Sequence, residues 1–152
     1  LQTNKARFLV GNVSLIHSVD RPKLLDTIGR LARDQGVVQD ILLQVGVAGE
    51  EQKAGMPVAE LVDFYRRALE QDSIRVRGLM IFPPVASNPE ETRPFFRHGA
   101  ELLETLGQMT PEDREVPTEL SMGMSHDFEV AVEEGATLIR LGTAIFGPRP
   151  VS

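Results

Sequence analysis

Residues 119–147, ELSMGMSHDFEVAVEEGATLIRLGTAIFG, decide the fold class. ELSMGMS (119–125) reads as a buried strand. Ser125 is positioned to cap a helix over HDFEVAVEEG (126–135). Asp127 and Glu129 sit early in that helix, where negative charge meets the positive helix end. TLIRLGTAIFG (137–147) reads as a further apolar strand. Strand, helix and strand in so short a span describe one β–α–β unit.

The same alternation runs upstream. VSLIHSVD (13–20), DILLQVGVA (40–48) and IRVRGLMIFPP (74–84) read as strands, the last stopped by Pro83 and Pro84. Between them, residues 21–36 carry Leu24, Leu25, Ile28 and Leu31 at helical spacing, with Gly36 as C-cap. A polar loop, GEEQKAG (49–55), precedes a helix over 57–71. That helix has Pro57 in its first turn and Leu61, Phe64, Tyr65 and Leu69 on one face. A longer helix over 88–109 is expected to be irregular at Pro94, and TPEDREVPT (110–118) is a connector. Five strands are visible, and LQTNK (1–5) fits the tail after a sixth. Nearly continuous apolar strands alternating with helices signal a parallel sheet covered by helices, an α/β fold.

Composition narrows the function. The 152 residues make one domain's worth of chain, 41% hydrophobic and 25% charged, the balance of a globular protein. A net charge of −6 and a pI near 5.1 argue against the broad basic footprint that nucleic acid or an anionic membrane requires. With no cysteine, thiolate catalysis, disulfides and Cys-based zinc sites are excluded. His17, His98 and His126 lie too far apart for a close-spaced metal motif. No apolar run approaches the roughly 18 residues of a membrane span, and no signal-peptide pattern opens the chain. The opening LQTNKARFLV reads like the middle of a domain, so a longer polypeptide is expected.

In parallel α/β folds, ligands meet the C-terminal ends of the strands. Two such ends stand out, SMGMSHD (121–127) and RLGTAIFG (140–147). Glycines, hydroxyls and free N–H groups there can cradle a phosphate without lysines. The plain alternative is that Ser125 is only a cap and the glycines only packing devices. Arg140 is either half of a structural ion pair or a donor to a ligand, and the sequence leaves open which way it points. His17, at the end of a strand, reads first as a hydrogen-bonded structural residue. Lys53 reads as a solvated loop residue. Glu50 and Glu51 lack a second acid at defined geometry, and His98 and His126 read as exposed positions on helices.

LQTNK, IHSVDR, ILLQV, K53-A-G, RGLMIFPP, LSMGMSHDFEVAVEEGAT and IRLGTAIFG, in this order, resemble the pyridoxal-phosphate homeostasis protein family, the YggS/PROSC-like group. The resemblance spans essentially the whole chain. It implies a TIM-type (β/α)8 barrel like the N-terminal barrel of alanine racemase, which binds pyridoxal 5′-phosphate (PLP) and tends the cellular vitamin B6 supply. Carried over by position, Ser121 and the N–H of Met122 would hold the phosphate from one strand end, and Gly142 and Thr143 from the next. Arg140 would face the pyridine nitrogen, which disfavours ring protonation and weakens electron-sink chemistry. That suits a carrier better than an efficient enzyme.

The family's Schiff-base lysine lies in a segment that precedes LQTNK. Lys5, Lys23 and Lys53 do not match it. A barrel of roughly 250 residues has about 30 per β/α unit, so residues 1–152 correspond to about the last five units of a single domain. About three units, with the lysine, are expected upstream. Alone, such a portion would have two open sheet edges and an uncovered apolar face, which favours aggregation or pairing. The resemblance further implies a cytoplasmic protein whose partners are PLP and PLP-requiring apo-enzymes, with no nucleic acid or membrane. The rival readings are a racemase-like PLP enzyme and a cofactor-free interaction module.

Overall fold

The computed structural model describes residues 1–48 and 55–148. In chain order these form β1 (Leu15–Val19), α1 (Pro22–Gln35), β2 (Gln39–Gly46), β3 (Met56–Pro57), α2 (Leu61–Leu69) and β4 (Ile74–Phe82). They continue with α3 (Arg93–Met109), β5 (Glu119–Met124), α4 (Phe128–Glu133), β6 (Leu138–Arg140) and α5 (Thr143–Phe146). Short 3-10 segments cover Thr3–Phe8, Val58–Glu60 and Pro89–Thr92. The strands form one sheet in the order β1-β2-β4-β5-β6, with β3 paired to the end of β2, and every pairing is parallel. Each major strand therefore lies beside the next in the chain, as helical crossovers between parallel strands require.

One face of the sheet is packed by helices. Ile41, Leu43 and Val45 of β2, Leu79 and Ile81 of β4, and Leu120 and Met122 of β5 join Leu25 and Ile28 of α1, Tyr65 of α2 and Phe96 of α3 in a single core. Tyr65 and Phe96 are fully buried, and truncating either to Ala costs about 3–5 kcal/mol. The Tyr65 hydroxyl meets Thr110 Oγ1 at 2.7 Å, and that hydroxyl donates to the Leu106 carbonyl, so the polar tip is satisfied where α3 ends. Side chains alternate along a strand, so His17, Met80, Phe82 and Ser121 project from the opposite face.

That opposite face is concave. His17 on β1 and Ser121 on β5 touch at 3.2 Å, although two strands lie between them. On a flat sheet, strands three places apart are separated by about 14 Å and their side chains run parallel. The contact therefore requires the strong curl of a partial barrel. Curling is assisted where β4 meets β5: a Cβ at Gly78 would stand 1.7 Å from the Glu119 carbonyl oxygen, so only glycine allows that approach.

Most helices and strands fall where the sequence puts them, including Gly36, left-handed at the end of α1. Four readings need correction. The stretch 137–147 is not one strand: β6 stops at Arg140, and the chain turns at Gly142 into α5, because Gly142 breaks the extended run. Ser125 does not cap α4. Asp127 precedes that helix, and its carboxylate accepts from the Met124 N–H at 2.7 Å. His126 lies in this turn rather than on a helix, and Pro57 pairs with β2 and precedes a 3-10 turn instead of opening α2. Thr3–Phe8 forms a 3-10 segment ahead of β1, and the sheet also holds the short β3.

Candidate functional site

β5 and β6 are neighbours, so the turns that follow them meet at the C-terminal end of the sheet. Gly123 sets the first turn. Its φ is +84°, a conformation L side chains rarely adopt, and a Cβ there would stand 2.6 Å from the Ala131 Cβ. The chain after it delivers Ser125 to the second turn. The Ser125 Oγ accepts hydrogen bonds from the Gly142 N–H at 3.0 Å and the Ala144 N–H at 3.1 Å. Gly142 and Thr143 are exposed, and open space surrounds the position a Cβ would take on Gly142. Two backbone donors thus converge on one oxygen at a surface turn.

A second cluster lies deeper on the concave face. Arg140 NH1 donates to Ser121 Oγ at 2.9 Å, and NH2 donates to the Ile81 carbonyl at 3.1 Å. The guanidinium stacks on the Phe82 ring, 4.7 Å from its centroid. Among the described residues, no carboxylate reaches ion-pair distance of Arg140, which resolves the open choice against a structural ion pair. Burial pushes the Arg140 pKa down from its ordinary value, partly opposed by Asp127. Burial, and then the Arg140 charge, also lower the pKa of His17. A cation with only neutral partners retains its pull on an electron-rich group.

The sequence-derived residues thus divide between two places. Ser121 is fully buried and its hydroxyl is engaged by Arg140 and His17, whereas Gly142 and Thr143 belong to the outer turn with Ser125. The Met122 side chain is buried in the helix-facing core, so only its backbone can serve a ligand on the concave side. Ser125 and Phe82 were missed as site residues. Ser125 carried a signal, a hydroxyl two residues past a strand-end glycine, but a cap explains the same signal.

His98 lies half-buried on α3, 3.5 Å from Glu101, and His126 is exposed in its turn. Lys53, Glu50 and Glu51 lie outside the described residues. Among the described residues there is no cluster of three or more potential metal ligands, and no helix is long and apolar enough to cross a membrane.

The supports of the site are ionic as well as apolar. Arg93 at the start of α3 bonds Glu90, Glu133 and Glu134, and Arg97 also bonds Glu134. These contacts tie α4, the helix after β5, to α3. At the opposite end of the strands, a cavity of about 180 Å³ is lined by Val38, Asp72, Arg75, Arg114 and Glu115. Four of its charges are paired, Arg114 with Asp72 and Arg75 with Glu115.

The family model described as alanine racemase, N-terminal domain, matches residues 2–150. The pyridoxal phosphate homeostasis protein of Aquifex aeolicus is 48% identical over 149 residues, covering 98% of this chain and 64% of the relative. The chain thus spans a little under two thirds of that relative's length. Among solved structures, PipY of Synechococcus elongatus superposes with a TM-score of 0.86 without PLP, at 38% identity. With PLP bound, PipY superposes with a TM-score of 0.84 at 36% identity. Both superpositions cover 97% of this chain and 67% of PipY. A parallel, curled sheet and a match over nearly every residue agree: the chain belongs to the alanine racemase N-terminal domain family, among its pyridoxal phosphate homeostasis proteins.

Proposed function

We propose that this chain supplies the phosphate-holding and ring-facing part of a PLP site, in a protein that holds and delivers PLP in the cytoplasm to apo-enzymes that require it. The observation that carries this reading is the convergence of the Gly142 and Ala144 N–H groups on the Ser125 oxygen. Two backbone donors aimed at one oxygen at an open glycine turn are what a phosphate oxygen needs. The residues present fit such a group. A partly desolvated arginine without a carboxylate suits a ring nitrogen, and the concave face, which carries the Phe82 ring, suits an aromatic ring.

In this reading the N–H groups of the Gly142–Ala144 turn and the Ser125 hydroxyl hold the phosphate. On binding, the Ser125 hydroxyl rotates, releases the two N–H groups and donates its own proton. Thr143 and the Met122 backbone N–H complete the cradle. Ser121 steadies Arg140, which donates toward the pyridine nitrogen and keeps that nitrogen unprotonated. When bound, PLP supplies an aldehyde that combines reversibly with amines. Arg140 limits how strongly the ring withdraws electrons, which favours retention and delivery over rapid turnover.

The chain is then the C-terminal part of one (β/α)8 barrel whose lysine comes from a segment upstream. Among the described residues the outer edges of β1 and β6 pair with no strand, and these edges and the exposed Ile139, Ile145 and Phe146 support that reading. The test is a titration of the full-length polypeptide with PLP and with pyridoxal, which lacks the phosphate. PLP binding at least about tenfold tighter, an advantage reduced by Ser125→Ala, is the expected result. Equal binding of the two overturns the phosphate cradle.

A further inference from the structure

Arg140 NH1 donates to Ser121 Oγ at 2.9 Å, and His17 Nδ1 lies 3.2 Å from the same oxygen. Ser121 is fully buried, and among the described residues these are its hydroxyl's two partners. A hydroxyl has one proton and two lone pairs. Arginine can only donate, so it takes a lone pair. If His17 Nδ1 also donated, the serine proton would be stranded in a dry interior, and an unmet buried donor is costly. The proton must therefore point at Nδ1, which makes Nδ1 the unprotonated ring nitrogen. The donor chain runs one way, Arg140 to Ser121 to His17, across residues 104 positions apart.

We infer that His17 is a positioning residue: held as the Nε2–H tautomer, it accepts the Ser121 proton and so turns the serine lone pair toward Arg140. Without that acceptor Ser121 has no reason to face Arg140, and the guanidinium loses one of its two oxygen anchors. Protonation of His17 breaks the chain in the same way and adds a like charge facing Arg140.

The charges that bear on His17 are few. Arg140 on β6 acts on it directly. Asp20, just past β1, is engaged by Arg21, and Asp40 on β2 by Arg75. Arg75 and Arg77 on β4 are engaged by Asp40 and Glu115, and Asp127 acts on Arg140. The role of Arg140 toward PLP rests on the reading proposed above; the direction of the hydrogen bonds does not.

The experiment uses the full-length polypeptide. Ring ¹⁵N spectra of the PLP-free protein near neutral pH, with His17 assigned by loss of its signals in His17→Leu, give the tautomer. An unprotonated Nδ1 is expected. A protonated Nδ1 overturns the inference whether or not PLP binds. PLP titrations then compare two variants. His17→Leu removes the acceptor and should weaken PLP binding about tenfold, the scale of one charge-assisted hydrogen bond. His17→Asn keeps an oxygen near the Nδ1 position. It should restore most of that affinity and remove the weakening expected of wild type as pH falls below about 6.5, where His17 protonates. Leu binding as well as wild type, or Asn failing as badly as Leu, contradicts the positioning role. Failure of the wild type to bind PLP refutes the proposed function, while the tautomer still decides the hydrogen-bond direction.

Discussion

The Ser125 oxygen lies 3.0 Å from the backbone nitrogen of Gly142, 17 residues on and one strand over. This contact joins the ends of β5 and β6 and holds the turn after β6 in a shape whose N–H groups converge. It also explains why a serine that looked like a helix cap does not cap α4. The hydroxyl meets two donors in the neighbouring turn, and the Asp127 carboxylate just before α4 is turned back onto the Met124 N–H.

Arg140→Met separates binding from stability. The arginine is partly desolvated without a carboxylate, so replacing its charge by an apolar side chain of similar length removes a desolvation cost and is expected to be neutral or stabilising. Thermal unfolding of the PLP-free polypeptide should show a Tm unchanged or higher, while PLP affinity falls. A loss of more than about 2 kcal/mol in the PLP-free state would mean that Arg140 is chiefly a structural brace.

Gly123→Ala should be among the costly single-methyl additions in this chain. It combines a left-handed φ of +84° with a Cβ placed 2.6 Å from the Ala131 Cβ and 2.9 Å from the Phe128 Cα. Strain and overpacking together are expected to cost about 2–4 kcal/mol and to disturb the turn carrying Ser125. Urea denaturation gives the value, and a loss below about 0.5 kcal/mol would mean that the turn relaxes freely.

Much of the fold was legible because burial writes itself into composition. The apolar run 40–48 and the helical spacing of Leu24, Leu25 and Ile28 are direct consequences of two-sided and one-sided burial. The error at 137–147 has the same origin. Apolar residues alone cannot distinguish a strand from a strand plus one short helix, and Gly142 was the available cue. Site geometry was less legible because its contacts are tertiary. His17 and Ser121 meet only after the sheet curls, and the side of the sheet that Arg140 faces depends on where β6 begins.

Acid should weaken the α3–α4 clamp, with a predictable sign. Arg97 and then Arg93 hold the Glu134 carboxyl below its ordinary range, and Arg93 does the same for Glu90. The folded-state pKa values lie below those of the unfolded chain, so the unfolded chain binds more protons as pH falls. This stabilisation is complete above about pH 4.5 and is lost as pH drops through the lower folded-state values. Unfolding midpoints measured between about pH 6 and 3 should fall less steeply for Glu134→Gln than for wild type. An identical slope would show that the clamp contributes nothing.

The most direct test of the account is the backbone amide spectrum of the ¹⁵N-labelled full-length polypeptide as PLP is added. The largest shifts are expected at Gly142 and Ala144, whose N–H groups exchange the Ser125 oxygen for phosphate, and at Thr143 between them, with smaller ones around Ser125. Shifts concentrated at Val38, Asp72 and Arg114, around the cavity at the opposite end of the strands, would contradict it.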